Sequence, residues 1–209
     1  IAQQTSIALS NIHLVESRQE EAYITAVLLQ VAQAVVSQNE LDDILDTIVH
    51  LMPILVGVNT CVIYLKDEQS SEMRAAHAVA PGHAETVELL SHQFKPGEFP
   101  FLDDLLTSDS MVACPLANPD LPISDWLTLS CVRTDDLGDS NQKDWLLGFP
   151  LSIKGVIYGA LVAKETEVMP AFHNKRLELI RGVAQQTTLA IQNEKLKEEM
   201  VGRERMERE

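Results

Sequence analysis

The sequence predicts an α+β domain, a central antiparallel sheet covered on both faces with long helices at either end of the chain. Three stretches carry that reading. Residues 145–164, WLLGFPLSIKGVIYGALVAK, form two apolar runs folded back at Lys154 and Gly155. Residues 1–38 contain no Gly or Pro and are rich in Ala, Gln, Leu, Val and Glu, as a long helix requires. A third stretch, Phe172 to Glu209, is charged and reads as a long helix.

The hairpin admits two registers. A two-residue Lys-Gly turn needs positive φ at both positions, which suits Lys poorly, whereas a three-residue loop, Ile153–Gly155, needs it only at Gly155. The expected pairing is therefore Ser152 with Val156. Trp145, Leu147, Phe149 and Leu151 then share a face with Ile157, Gly159, Leu161 and Ala163. The other face, with Leu146, Gly148, Val156, Tyr158, Ala160 and Val162, is smaller in profile and also apolar, so it too must be covered.

Along the chain, the leading helix places Ile7, Leu14, Leu28 and Val35 at multiples of seven residues, with Ile24 and Val31 on the alternate seam. Ser10, Ser17 and Glu21 interrupt that seam. A helix of this length outruns a small domain, so pairing between subunits is expected, the other reading being an amphipathic helix on its own domain. After a cap around Ser37–Asn39, the spacing of Leu41, Ile44, Leu45, Ile48, Val49 and Met52 predicts a second helix that ends or kinks near Pro53. Thr60–Lys66 and Met73–Val79 read as strands joined by a turn around Asp67–Ser71. The insert from Pro81 to Asp144 holds short helices at His83–Gln93, Phe101–Thr107 and Ile123–Val132, an edge strand at Ser110–Cys114, and a polar loop at Asp135–Lys143. A connection this long is usually a lid or binding segment.

Composition narrows the function. The 209 residues carry a net charge of −15, and from Leu41 to Pro170 there are 20 Asp and Glu against 7 Lys and Arg. Such a surface repels phosphate backbones and anionic headgroups, so neither nucleic acid nor a membrane surface is an expected direct partner. No apolar run reaches the ~18–20 residues of a spanning helix, and no basic-then-apolar signal opens the chain. Cys61, Cys114 and Cys131 are scattered and odd in number, which predicts reduced thiols in a cytoplasmic protein, with no disulfide framework and no metal site.

An internal repeat bears on organisation. IAQQTSIALSNIHLVE at the start aligns without gaps to VAQQTTLAIQNEKLKE at Val183–Glu198. This offset is no solenoid period, and it suggests that the leading helix is the last helix of an upstream copy of the same domain.

The element order, the hairpin FPLSIKGVIYGALVA and the helix LIRGVAQQTTLAIQNEKL resemble the GAF domain, a regulatory sensor module architecturally related to PAS domains. The resemblance runs from about Asn39 to Asn193, and its most specific residues are Pro150, Leu151, Gly155, Gly159 and the AQQTTLAIQN helix. It implies a sheet of five or six strands, terminal helices on one face and a ligand pocket on the other. The implied divisions are residues 1–38 as a signalling helix continuing from an upstream repeat, 39–170 as the domain, and 171–209 as exit helix and connector.

Only matching motifs carry over. The Asn-Lys-Phe-Asp-Glu pattern of cyclic-nucleotide-binding members is absent, and no cysteine has the adjacent His used for bilin attachment. His77, His83 and His92 read as solvated or hydrogen-bonded rather than haem ligands. The residues around the cysteines do not match the free methionine sulfoxide reductases of the family, and no catalytic residue is assigned. Asp103-Asp104 and Asp135-Asp136 read as solvated faces rather than acid/base pairs. Phe94, Phe99, Phe101, Leu105, Cys114 and Trp126 are the residues expected either to line a pocket for a small molecule or to close the core over the sheet. A neutral or cationic ligand suits the acidic insert better than an anion.

The expected function is a non-catalytic sensory module. It would act as a homodimer through Ile7, Leu14, Leu28, Val35, Leu189 and Leu196, relaying a signal to an output domain such as a PPM-type serine phosphatase. The alternatives are a ligand-free dimerisation adaptor in a tandem array, a histidine kinase input domain with a bound cofactor, and a thiol-based methionine sulfoxide reductase.

Overall fold

The computed structural model describes residues 18, 22–33, 40–67, 69–116, 123–129, 132–133, 144–165 and 170–206. The expected seam residues Ile7, Leu14 and Val35, the cap at Ser37–Asn39, the loop Asp135–Lys143 and Cys131 lie outside them. The chain runs α1 (residues 22–33), α2 (Leu41–Leu55), β1 (Thr60–Lys66), β2 (Met73–Val79), α3 (His83–Leu90) and β3 (Gln93–Phe94). It continues with α4 (Pro100–Ser108), β4 (Val112–Pro115), a 3-10 turn (Ile123–Thr128), β5 (Val132–Arg133), β6 (Trp145–Ile153), β7 (Val156–Glu165) and α5 (Pro170–Met206).

The sheet is antiparallel in the order β3-β2-β1-β7-β6-β4-β5. The sheet has seven strands where five or six are expected, but its outermost strands, β3 and β5, are only two residues long, which blunts both edges of a five-stranded body. β3 lies at one edge and the β4–β5 pair at the other, so the chain between β3 and β4 must cross a face of the sheet. That crossing is α4, which packs on β4, β6 and β7.

The hairpin's faces sort as expected, but its tip does not. Ile153 pairs with Val156 across a two-residue turn, and Lys154 and Gly155 both have positive φ, 52° and 80°. Such a turn follows the right-handed twist of the two strands, and this preference outweighs the cost of a left-handed Lys. The extra residue predicted for the loop lies inside β7 instead, as a bulge opposite Leu151 and Ser152. Beyond the bulge Leu151 faces Gly159, a displacement of two residues from expectation, which leaves the side chains from Gly159 onward on their predicted faces, whereas Tyr158, expected beside Ala160 and Val162, packs against the α5-side core.

Each face has its own core. On one side Cys61, Ile63, Leu147, Phe149, Leu151, Leu161 and Ala163 meet α2 and α5. The second helix buries Ile44, Leu45, Ile48, Val49 and Met52 on one stripe and carries Asp42 and Asp43 in its first turn, where they complement the helix dipole. Its N-cap is Glu40, without a side-chain cap bond, rather than the Ser37–Asn39 segment. It runs through Pro53 and stops where Gly57, at φ 79°, donates to the Met52 carbonyl.

The AQQTTLAIQ stretch of α5 explains itself by burial. Ala184, Thr187, Thr188, Ala190 and Ile191 are buried, and the two threonine hydroxyls donate to the Val183 and Ala184 carbonyls at 2.8 and 2.7 Å. Both polar groups are thus satisfied without solvent. In α1, Val27 and Val31 join the same core, and Leu28 lies against Gly182, where an added Cβ would meet its Cδ2 at 2.5 Å.

Candidate functional site

The opposite face supplies a low floor. Val62, Ala75, Ala78, Ala160 and Val162 are short residues, and the insert must fill the space above them with long ones. Each local device seats a piece of that cover. In α3 the Glu85 carboxylate accepts from the Gly82 N–H at 3.3 Å, and Thr86 accepts from the Ala80 N–H at 3.1 Å. α4 opens with Pro100 at its first position and closes on Asp109, a left-handed residue with φ 48°. Asp103 accepts from the Gly97 N–H through both carboxylate oxygens, at 3.1 and 3.0 Å, so it fixes the approach to α4 rather than serving as an acid or base. Asp104 beside it is exposed, as predicted for a solvated face.

The six residues singled out from the sequence do come together. Phe94, Phe99, Phe101, Leu105, Cys114 and Trp126 are all buried in one cluster with Tyr64 and Leu89. Their rings form a row: Phe94 to Phe99 at 5.1 Å between centroids and Phe99 to Phe101 at 5.6 Å, continued by Tyr64 at 5.9 Å from Phe94. Trp126 comes from a 3-10 turn packed on α3 and α4, where the sequence predicts a helix reaching Val132; Val132–Arg133 instead pairs with β4. The predicted His83–Gln93 helix likewise stops at Leu90 and gives way to β3.

Three participants are not among the predicted site residues. Tyr64 follows from strand alternation, since it shares the even face with Val62. Its hydroxyl bonds His92 Nδ1 at 2.9 Å, which gives a half-buried histidine a specific partner. Burial holds the His92 imidazole below the usual histidine pKa, with Glu88 pulling the other way, and burial pushes the Tyr64 phenol up. Gly148, on β6, is the third: a Cβ there would meet the Phe101 ring at 2.7 Å. A glycine inside a strand was the available signal of a close approach.

The cysteines require a correction. Cys114 is disulfide-bonded, against the expectation of reduced thiols. The neighbouring Val112 and Ala113 pair with Arg133 and Val132, so β4 holds the Cys114 backbone beside the strand that follows Cys131 in sequence, a proximity that scattered spacing could not reveal. Cys61 is free and fully buried, and desolvation pushes its thiol up to about 12, which makes it a packing residue. Among the described residues no group of His, Cys, Asp and Glu could hold a metal ion.

Two grooves among the described residues border α5. One, of about 330 Å³, lies between Asp109, Ser110, Pro150, Arg181 and Gln185, beside a 2.5 Å hydrogen bond from Ser152 Oγ to Asp109. The other, of about 470 Å³, lies between Lys66, Tyr158, Gln192, Lys195 and Leu196. Leu189 and Leu196, expected at a dimer seam, are 45% and 49% exposed, whereas Leu28 is spent within the protomer.

Comparison with known proteins places this arrangement. No curated protein matches the chain. Solved structures do, at low identity. The GAF domain of a phosphoenolpyruvate-protein phosphotransferase from Coxiella burnetii is similar with a TM-score of 0.61 and 16% identity, over 84% of this chain and 96% of that one. The phycocyanobilin-bound GAF domain of a cyanobacterial phytochrome gives 0.59 and 16%, over 83% and 96%. Free methionine-R-sulfoxide reductase from Neisseria meningitidis, in complex with its substrate, gives 0.57 and 16%, over 83% and 90%. These likenesses establish the fold. The GAF domain profile matches residues 40–191, which takes in the second helix, the whole sheet, the insert and the sheet-bound part of α5, and the chain belongs to the GAF domain family.

Proposed function

We propose that the chain is a non-catalytic sensory module that takes a small molecule under the insert and relays its presence through paired helices to a downstream output domain. The observation that carries this reading is the course of α5. It lies on the sheet as far as Ile191, its last fully buried residue, and then continues to Met206 with Leu196, Met200 and Val201 exposed. A helix with apolar residues left uncovered beyond its own domain suits pairing with a second copy. Leu189 and Leu196 are the described seam positions, and Ile7 and Leu14 correspond to them in the repeat at the start of the chain.

The repeat supports an upstream GAF-like unit, and the charged end EKLKEEMVGRERMERE supports a connector to an output domain, for which a PPM-type serine phosphatase is favoured over a histidine kinase. Cytoplasmic placement belongs to the same proposal. No helix among the described residues is long and apolar enough to cross a membrane. Thiol catalysis of the reductase kind is disfavoured by the buried Cys61 and the disulfide at Cys114.

A second reading, a ligand-free dimerisation adaptor, is favoured by the complete burial of the six insert residues. Native mass spectrometry of the purified chain separates the two. A dimer mass with a retained small molecule is expected. A bare dimer selects the adaptor, and a bare monomer overturns both.

A further inference from the structure

The last helix carries two stripes. Val183, Ala184, Thr187, Thr188 and Ile191 are buried on the side that faces the domain. Leu189, Asn193, Leu196 and Met200 stand about half a turn around from them, at 3.6 residues per turn, and all four are exposed. Leu189 is 45% exposed, Leu196 49% and Met200 64%, large fractions for apolar side chains on one line. Seven residues before Leu189 the same line passes through Gly182, where Leu28 of α1 rests. A helix already seats on this stripe two turns earlier, and the stripe continues past it uncovered.

The internal repeat marks the same stripe. Ile7, Asn11 and Leu14 occupy the places of Leu189, Asn193 and Leu196. The residues flanking them differ: Ser10, Ile12, His13 and Val15 stand against Gln192, Glu194, Lys195 and Lys197. Ala184, Thr187 and Ala190 recur in the repeat and are buried, so packing within the domain accounts for them. It does not account for Asn193 and Leu196, which recur and are exposed.

Asn193 decides what covers the stripe. With Leu189 and Leu196 at the d positions of a heptad, Asn193 and Met200 fall at a. A carboxamide carries both a donor and an acceptor, so across a twofold axis it complements itself. In a parallel pair in register, a faces a, and the two carboxamides meet. In an antiparallel pair a faces d, which buries Asn193 against a leucine with nothing to bond, and an unrelated apolar surface does the same.

Resting on the paired-helix reading above, we propose that the occupant of this stripe is a second copy of the chain, parallel and in register, with the two Asn193 side chains hydrogen-bonded across the axis. Both exit helices then leave the dimer side by side at the same end.

Sedimentation equilibrium of the full chain measures the dimer, and a nitroxide on Val201→Cys reports its orientation through electron–electron dipolar spectroscopy. The unaltered protein, treated alike, corrects for label on native thiols. In the parallel pair the two labels stand at one level. In an antiparallel pair centred on Asn193 they are separated along the axis by twice the eight residues from Asn193 to Val201, about 24 Å. A dimer with the short distance alone is expected. Asn193→Leu should tighten the dimer about tenfold and admit the long distance as well, because the polar residue sets register at a cost in affinity. Asn193→Asp places like charges together and should weaken the dimer about tenfold or more. Glu198→Ala, off the stripe, should change neither reading.

A dimer showing only the long distance overturns the proposal and leaves the pairing of helices intact. So does a dimer whose affinity and distances are the same in Asn193→Leu as in the parent. A monomer at every concentration overturns the proposal and the paired-helix reading together.

Discussion

Replacing Gly148 with alanine tests how firmly α4 is seated on the sheet. The new methyl would stand 2.7 Å from Phe101 Cζ, 2.9 Å from Cε1 and 3.1 Å from Leu105 Cδ2. Carbon atoms in contact prefer about 3.5–4 Å, so the ring must retreat by roughly 1 Å. Phe101 and Leu105 are both fully buried, and Phe99 lies against Phe101, so the retreat displaces the row rather than one rotamer. Overpacking of this kind costs about 1–3 kcal/mol. Removing a glycine from a strand returns about 0.5–1 kcal/mol by restricting the unfolded chain. The net expectation is a loss of about 1–2 kcal/mol.

Urea denaturation followed by circular dichroism reads this as a midpoint lowered by about 0.5–1 M for a slope near 2 kcal/mol per M. Phe101→Leu makes room for the methyl, so the double variant should be more stable than the two single effects predict, by about 1 kcal/mol. An unchanged midpoint in Gly148→Ala, or strict additivity with Phe101→Leu, would refute the argument that the insert rests on β6 through this contact.

Three other expectations concern single residues. Lys154→Asn places a residue tolerant of positive φ at the first turn position and should raise the urea midpoint, with a gain of about 0.5–1 kcal/mol; a fall would contradict the turn assignment. His92 has its folded-state pKa held below the ordinary 6.5, chiefly by burial, so the unfolded chain takes up this proton first as pH falls. Its contribution is full above about pH 6.5 and lost as pH drops through the lower folded value. His92→Gln, which still offers Tyr64 an acceptor, should therefore lose less stability than the parent between about pH 7 and pH 5, and equal losses would count against a buried neutral imidazole. Cys61, with its thiol pushed up to about 12, should resist iodoacetamide in the folded protein and react after denaturation, as peptide mass spectrometry would show. Labelling before denaturation would mean that β1 is not buried as described.

Much of the sheet was legible because strands buried on both sides betray themselves. TCVIYLK and MRAAHAV coincide with β1 and β2 residue for residue, and the two faces of the hairpin follow from parity alone. Parity also explains how far the misread tip did harm: beyond the bulge the pairing shifts by two, an even number, so only the residues at the bulge, Tyr158 among them, change face. The insert aromatics were legible for a related reason, since large apolar side chains in an acidic segment have few places to go but inward.

What escaped the sequence depends on partners distant along the chain. The Cys114 disulfide requires knowing that β4 and β5 adjoin, and the Tyr64–His92 bond requires knowing that β3 returns beside β2. The role of Gly148 is visible only once Phe101 is seen above it. Helix ends in the insert were misjudged because tertiary pairing, at β3 and β5, captured residues whose local preference was weak.

The last stretch of α5 has a mechanical consequence. The segment from Gln192 to Met206 runs about 22 Å at roughly 1.5 Å per residue beyond Ile191, its first turn still beside the hairpin, where Lys195 lies over the Tyr158 ring. In the proposed relay it would act as a lever pivoting near Ile191. A tilt of about 5° at the fulcrum carries the tip about 2 Å, enough to turn a sub-ångström adjustment beneath Thr187 and Thr188 into a change of packing at the far end. Gain of this sort needs no large motion in the domain itself, only a stiff arm and a firm pivot.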